Sequence, residues 1–270
     1  MTPNWLALLS EWSWEPSVLV GIAAASGLYW AVCGPWRKRF AGSRPVNRRQ
    51  VTWFAAAMLI LFVALISPLD TWGDEYLQSA HMLQHMLLTL GVPPMLILGT
   101  PAWLIDALLR RPAWRRIGRV LTHPALAYGL FNLIFLVWHL PALYNAALEN
   151  ENIHIVEHLS FLVAGVITWW PIFSTSAELP PISPGFQILY LFLQGIPTTV
   201  LTALIVFAPN VLYPTYLNAP RVFGIDAMMD QQIAGLEMGS LGMVVYLFIL
   251  TIVFYRWMNR EAGQERSRLA

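Results

Sequence analysis

Charge and cysteine are the scarce components of this chain. Only 11% of its 270 residues are Asp, Glu, Lys or Arg, where ordinary soluble domains carry about 25%. That shortage excludes an ordinary soluble domain. One cysteine, Cys33, excludes an internal disulfide and any CxxC metal or redox motif. A net charge of +1 gives no reason to expect a nucleic-acid partner. A basic n-region is also missing from the N-terminus, which instead carries Glu11 and Glu15 ahead of the first apolar run and so does not read as a cleaved signal. Repeats and low-complexity tracts are absent, so residues 1–270 are expected to form one domain.

What is present is apolar and aromatic. Hydrophobic residues make up 57% of the chain, with thirteen tryptophans and a mean hydropathy of +0.56. The expectation is an all-α polytopic membrane protein, its helices forming one bundle. A spanning helix needs about 20 mainly apolar residues, and seven stretches qualify: 17–34, 51–69, 77–99, 123–144, 153–173, 186–208 and 231–256. Pro93, Pro94 and Pro197 fall inside spans and are read as kinks. Trp5, Leu6, Leu8, Leu9, Trp12 and Trp14 place residues 1–16 in the interface, with tryptophans at headgroup level. Residues 102–121 alternate Trp103, Leu104, Leu108, Trp114, Ile117 and Val120 with arginines, an amphipathic pattern suited to a lipid surface.

Arginine sets the expected orientation. Arg37, Lys38, Arg39, Arg44, Arg48 and Arg49 lie in the first loop, and Arg110, Arg111, Arg115, Arg116 and Arg119 in the third. Arg256, Arg260, Arg266 and Arg268 lie in or beside the tail 257–270. In a seven-span chain these regions share one side, and an excess of Lys and Arg marks the cytoplasmic side. The N-terminus is then outside and the C-terminus cytoplasmic. Asp70, Asp74 and Glu75, with Glu149 and Glu151, lie in outer loops.

Five of the six histidines then gather at the outer end. His81 and His85 are four residues apart in the third span, and His154 and His158 are four apart in the fifth, so each pair lies on one helix face. His139 stands near the outer end of the fourth span. Only His123 lies at the inner end. Neutral imidazole is a common ligand for copper and zinc and adds no charge in an apolar site, and ionisable groups within spans mark function. His81, His85, His139, His154 and His158 are therefore the candidate metal ligands. Glu157 is placed to ligate or to orient an imidazole. Met82 and Met86 follow the third-span histidines and point about 100° away; they pack in the core or line a route for Cu(I), as Met228 and Met229 could. Asp230 and Gln231 open the seventh span, where they complete or cap the site. Glu237, about two turns further in, should be protonated or paired.

Other chemistries fit parts of this pattern. His154-Ile-Val-Glu157-His158 matches the inverted zinc-protease motif, which needs an open coordination position and room for substrate. Paired histidines on facing helices also suit haem. Interhelical hydrogen bonding is the plain alternative for any single membrane histidine.

Taken together, the motifs resemble the caa3-type cytochrome c oxidase assembly factor family (CtaG of Gram-positive bacteria). The matching pieces are His81-Met-Leu-Gln-His85, Pro93-Pro94 with Leu98-Gly99, and Trp138-His-Leu-Pro141 with Leu143-Tyr144. His154-x-x-Glu157-His158-Leu-Ser-Phe161 with Trp169-Trp170-Pro171, and Asp230-Gln231-Gln232 with Gly235 and Met238, complete the set. The resemblance covers most of residues 50–255. It implies a multi-pass protein of the bacterial inner membrane, among membrane lipids and not an enzyme, that takes copper as Cu(I) from an outer-face donor and delivers it to subunits of a haem-copper oxidase, with a homo-oligomer left open. Copper transport, and zinc or haem as the bound group, stay open. Glu237 and Gly239 depart from the family pattern, whose seventh span is apolar there with an aromatic residue.

Overall fold

The computed structural model describes residues 5–269, with side chains from Leu6 through Ala262 and at Gln264, and it is helical with no strand among them. In chain order the helices are α1 (Trp5–Leu8), α2 (Pro16–Cys33), α3 (Arg48–Ile66), α4 (Pro68–Glu75), α5 (Gln78–Met86), α6 (Val92–Gly99), α7 (Ala102–Leu109), α8 (Pro112–Leu121) and α9 (Pro124–Trp138). They continue with α10 (Pro141–Glu149), α11 (Glu151–Phe173), α12 (Pro184–Val206), α13 (Pro214–Asn218) and α14 (Ala227–Leu269). Among the described residues, six stretches are long and apolar enough to cross a membrane: α2, α3, α5 through α6, α11, α12 and α14 to Ala262. A seventh results if α8 and α9, bent by 67°, count as one span.

The fourth expected span, 123–144, is corrected. Pro124 and Pro141 begin α9 and α10, and the residues before them, His123 and Leu140, are extended at ψ 126° and 129°. A proline forces that geometry on its predecessor, so α9 keeps 15 residues, about 22 Å, and His139 falls at its C-terminal cap. The other expected spans agree with the helices to within a few residues at their starts. The last helix continues through 257–269 rather than ending at 256. In the amphipathic segment, Trp114, Ile117 and Val120 on α8 are exposed, as a lipid-facing surface requires.

The span from Gln78 to Gly99 is the most buried, and α2 the least. Between α5 and α6 it widens to a π turn, Leu87–Gly91. Pro93 has no N–H to offer the carbonyl four residues back, at Thr89. Trp169 of α11 fills that role, its Nε1 donating to the Thr89 carbonyl at 2.8 Å. Gly165 makes the approach possible, since a Cβ there would stand 2.6 Å from Pro93 Cγ. α11 lies against α9, α6 and the π turn, while α14 runs along α12 and against α5. Met82, Met86, Phe131, Phe135, Phe161 and Trp169 are among the side chains of the resulting core. At the end where α5 starts, the segment after α1 crosses α4: Trp72 Nε1 donates to the Leu8 carbonyl at 3.2 Å and Thr71 Oγ1 to that of Glu11 at 3.0 Å.

Candidate metal centre

Two caps and one interhelical bond fix the helices that carry the histidines. α5 is capped from far away in sequence: Asp230 on α14 accepts from the backbone N–H groups of Gln78 and Ser79 at 2.6 and 3.2 Å, and from Ser79 Oγ at 2.6 Å. A carboxylate at a helix N-terminus answers both the free N–H groups and the dipole. α11 is capped by Asn150, whose side chain accepts from the N–H groups of Asn152 and Ile153 at 3.0 and 3.3 Å. At the far end of α9, Trp138 Nε1 donates to Ser160 Oγ at 2.8 Å, tying the two helices one residue before His139. With those starts fixed, the i,i+4 spacing turns both pairs into one interior.

The five imidazoles meet there. Ring centroids are 4.2 Å apart for His81 and His85, 4.1 Å for His154 and His158, 5.3 Å for His81 and His154, and 5.4 Å for His85 and His158. His139 lies 6.3 Å from His85. Two sets offer ligand atoms all within 4.8 Å of one another: His81, His154 and His158, and His81, His85 and Glu157. His85 Nε2 stands 3.7 Å from Glu157 Oε1. Phe135, Tyr144 and Phe161 wall the rings at centroid distances of 4.5 Å from His139, 5.3 Å from His81 and 4.7 Å from His85.

Hydrogen bonding sets this cluster apart. Both nitrogens of His85, Nε2 of His139, His154 and His158, Nδ1 of His81 and both oxygens of Glu157 are buried with no hydrogen-bond partner. Each such group costs about 1–3 kcal/mol when buried unpaired, and native interiors hold few of them. His139 also has its tautomer set. Its Nδ1 lies 2.7 Å from the Phe135 carbonyl, a contact that needs the proton on Nδ1 and leaves Nε2 as a lone pair. The donor set thus fits a cation that accepts imidazole and carboxylate ligands.

Asp74 joins the cluster without having been singled out in the sequence. Its two oxygens lie 3.4 Å from His81 Nδ1 and 3.6 Å from His154 Nδ1. Gly73 allows the approach: a Cβ there would sit 2.9 Å from the Cα of His81. Tyr216 Oη donates to the Gly73 carbonyl at 2.6 Å and Tyr213 Oη to the His139 carbonyl at 3.0 Å, while Tyr213 stacks on Tyr144 at 4.0 Å. These three tyrosines close the cluster on one side, and burial raises all three phenols above their usual range. The only early signal for Asp74 was its place in an acidic loop two turns before His81, and the bend at Tyr76–Leu77 hides that register.

The remaining predicted site residues lie elsewhere. Met82 and Met86 are buried in the apolar core behind the histidines. Asp230 is engaged in capping α5. Gln231 accepts from Leu212 N–H at 2.7 Å and donates to the Ile205 carbonyl at 3.2 Å, tying α14 to the end of α12. Met228 and Met229 sit in the first turn of α14, with Met229 exposed. His123 is exposed at the other end of α9. Glu237 is half-buried, its Oε2 without a partner. Asp70, on α4, accepts from Gln84 Nε2 at 2.5 Å; burial, and then Asp74, push its carboxyl up to about 7.

An uncharacterized protein of Mycobacterium leprae is 25% identical over 96% of this chain and 41% of its own length. Others from Mycobacterium bovis and Mycobacterium tuberculosis are 26% identical over 63% of this chain and 27% of theirs. The chain thus spans less than half the length of these relatives. No solved structure is significantly similar. The family model described as cytochrome c oxidase caa3 assembly factor matches residues 27–260, a range holding all five clustered histidines, Asp74 and Glu157. This multi-pass membrane protein belongs to the cytochrome c oxidase caa3 assembly factor family.

Proposed function

We propose that the chain holds a copper ion, as Cu(I), in the histidine cluster and delivers it to a haem-copper oxidase during assembly of that enzyme. The observation that carries this reading is the set of buried, unpartnered imidazole nitrogens converging from three helices. Cation binding returns the free energy that burying those lone pairs unpaired costs. The arginine-rich loops at the other end favour an orientation with the cluster toward the outside of a bacterial inner membrane. Transfer then takes place at the outer face, between a copper donor protein and the oxidase subunits.

The role is handling rather than turnover. Phe135, Tyr144 and Phe161 pack directly on the rings, which favours a small ion over a porphyrin. His85 and Glu157 are fully buried, which disfavours a protease needing a substrate cleft at the metal.

Anaerobic loading of the purified full chain with Cu(I), followed by metal analysis, tests the reading. About one ion per chain, lost in the His81→Ala/His85→Ala variant, is the expected result. Equal copper in both proteins sinks it, and a Soret band in the protein as isolated would favour haem instead.

A further inference from the structure

We infer that the cluster contains two cation positions in series, an outer one formed by His81, His154 and His158 and an inner one formed by His81, His85 and Glu157, with Asp74 at the entrance. This rests on the reading of the cluster as a metal centre and adds a direction to it. Two observations support it. The two ligand sets overlap in His81 alone. Exposure also falls along the series: the Asp74 side chain is 31% exposed and His154 13%, whereas His81 and Glu157 are at 1% and His85 at 0%.

The chemistry of the two sets differs accordingly. The outer set is three imidazoles, with the Asp74 carboxylate reaching toward two of them at 3.4 and 3.6 Å. An anionic group at the exposed edge attracts a cation and orients the rings that receive it. The inner set exchanges two imidazoles for His85 and a buried carboxylate. Glu157 there offers a charge to balance the ion, worth more as water is excluded. Because His81 belongs to both sets, one ion occupies one position at a time. His81 passes it from the exposed set to the enclosed one, and return along the same path releases it to an acceptor at the Asp74 mouth.

The test uses the full chain in detergent, Cu(I) as the probe, and a Cu(I) chelator to time release. In the wild type, copper-edge X-ray absorption is expected to show two imidazoles and one oxygen. Glu157→Gln keeps the side-chain shape but strands the ion outside, giving three imidazoles and release faster by about tenfold or more. His154→Ala slows uptake by more than it weakens final affinity, and His81→Ala removes both positions. Size-exclusion elution and thermal unfolding of each apo variant separate these effects from misfolding. If Glu157→Gln and His154→Ala abolish binding as completely as His81→Ala, the cluster is a single centre and the two-position proposal is wrong. It is equally wrong if neither variant changes coordination or rates. Both outcomes leave the metal centre standing, whereas a wild type that takes up no copper removes the metal reading itself.

Discussion

Two clusters of buried polar residues in this bundle differ in their hydrogen bonding, one at the histidine end and one further along α9, α11 and α12. In the second, Asn132 Nδ2 donates to Gln194 Oε1 at 2.9 Å, and Gln194 Nε2 to Thr168 Oγ1 at 2.5 Å. The Thr168 hydroxyl then donates to Tyr190 Oη at 2.8 Å, and Tyr190 Oη to the Thr168 carbonyl at 2.9 Å. One consistent set of proton positions satisfies this chain, and only Asn132 Oδ1 lacks a partner. In the histidine cluster His81, His85 and Glu157 are as deeply buried, and there are hardly any internal hydrogen bonds. Polar contacts help to hold spanning helices together, and the Asn132–Gln194 network supplies them. The histidine cluster withholds its lone pairs from such contacts, as a ligand-binding site does. The difference is testable, because a cation should stabilise one cluster and be irrelevant to the other.

His81→Ala gives the largest expected effect. His81 is the one residue common to both ligand sets, so copper affinity should fall by at least about a hundredfold, or roughly 2.7 kcal/mol. Apo stability should change far less, since the histidine leaves no bonded partner behind. If thermal unfolding of the apo variant drops as much as copper binding does, the cluster is glue like the other and the contrast fails.

Asp70 is the intermediate case, buried and paired to Gln84 yet raised to about 7 from an ordinary 3.8. Between those values the folded state keeps a proton that the unfolded state has lost. Stability should therefore be full at low pH, fall as pH rises toward 7 and be flat above it, at a slope of at most about 1.4 kcal/mol per pH unit. Asp70→Asn keeps an acceptor for Gln84 and removes that contribution. Unfolding temperatures at pH 5 and pH 8 should show the variant gaining on the wild type at the higher pH; a constant gap would mean that Asp70 titrates normally.

Trp169→Phe should come next, at about 2 kcal/mol of lost stability. It orphans the Thr89 carbonyl that Pro93 cannot serve and leaves a small cavity beside Gly165. Copper affinity should stay within about threefold of wild type, which thermal unfolding of the apo and loaded proteins would report together. A larger loss of affinity would mean that the π turn sets the geometry of His85.

Much of this was legible in the sequence because hydropathy and i,i+4 spacing are local. The apolar runs gave the spans, and the pairs at His81/His85 and His154/His158 gave the shared interior. The failures are non-local or proline-driven. α9 ends at Trp138, six residues before the expected boundary at 144, since the extended Leu140 that Pro141 imposes outweighs the apolar run. Asp74 was missed because its role depends on Gly73 letting α4 press against α5. Asp230 read as a possible partner of the metal because no periodicity reveals that it caps a helix about 150 residues earlier in the chain.

Gln194→Leu should have the smallest effect, about 1 kcal/mol, although it cuts the middle of the satisfied network. Leucine fills nearly the same volume and removes two hydrogen bonds. Each severed partner keeps another: Asn132 Nδ2 still donates to the Tyr128 carbonyl at 2.8 Å, and Thr168 still bonds Tyr190. No group is left wholly unpaired, so the cost is two modest bonds partly offset by the apolar replacement. Copper cannot recover that loss, and the deficit in unfolding temperature should be the same with and without the ion. A deficit that copper erased would mean that the two clusters share one cooperative unit, with the polar network transmitting the occupancy of the histidine site along α11.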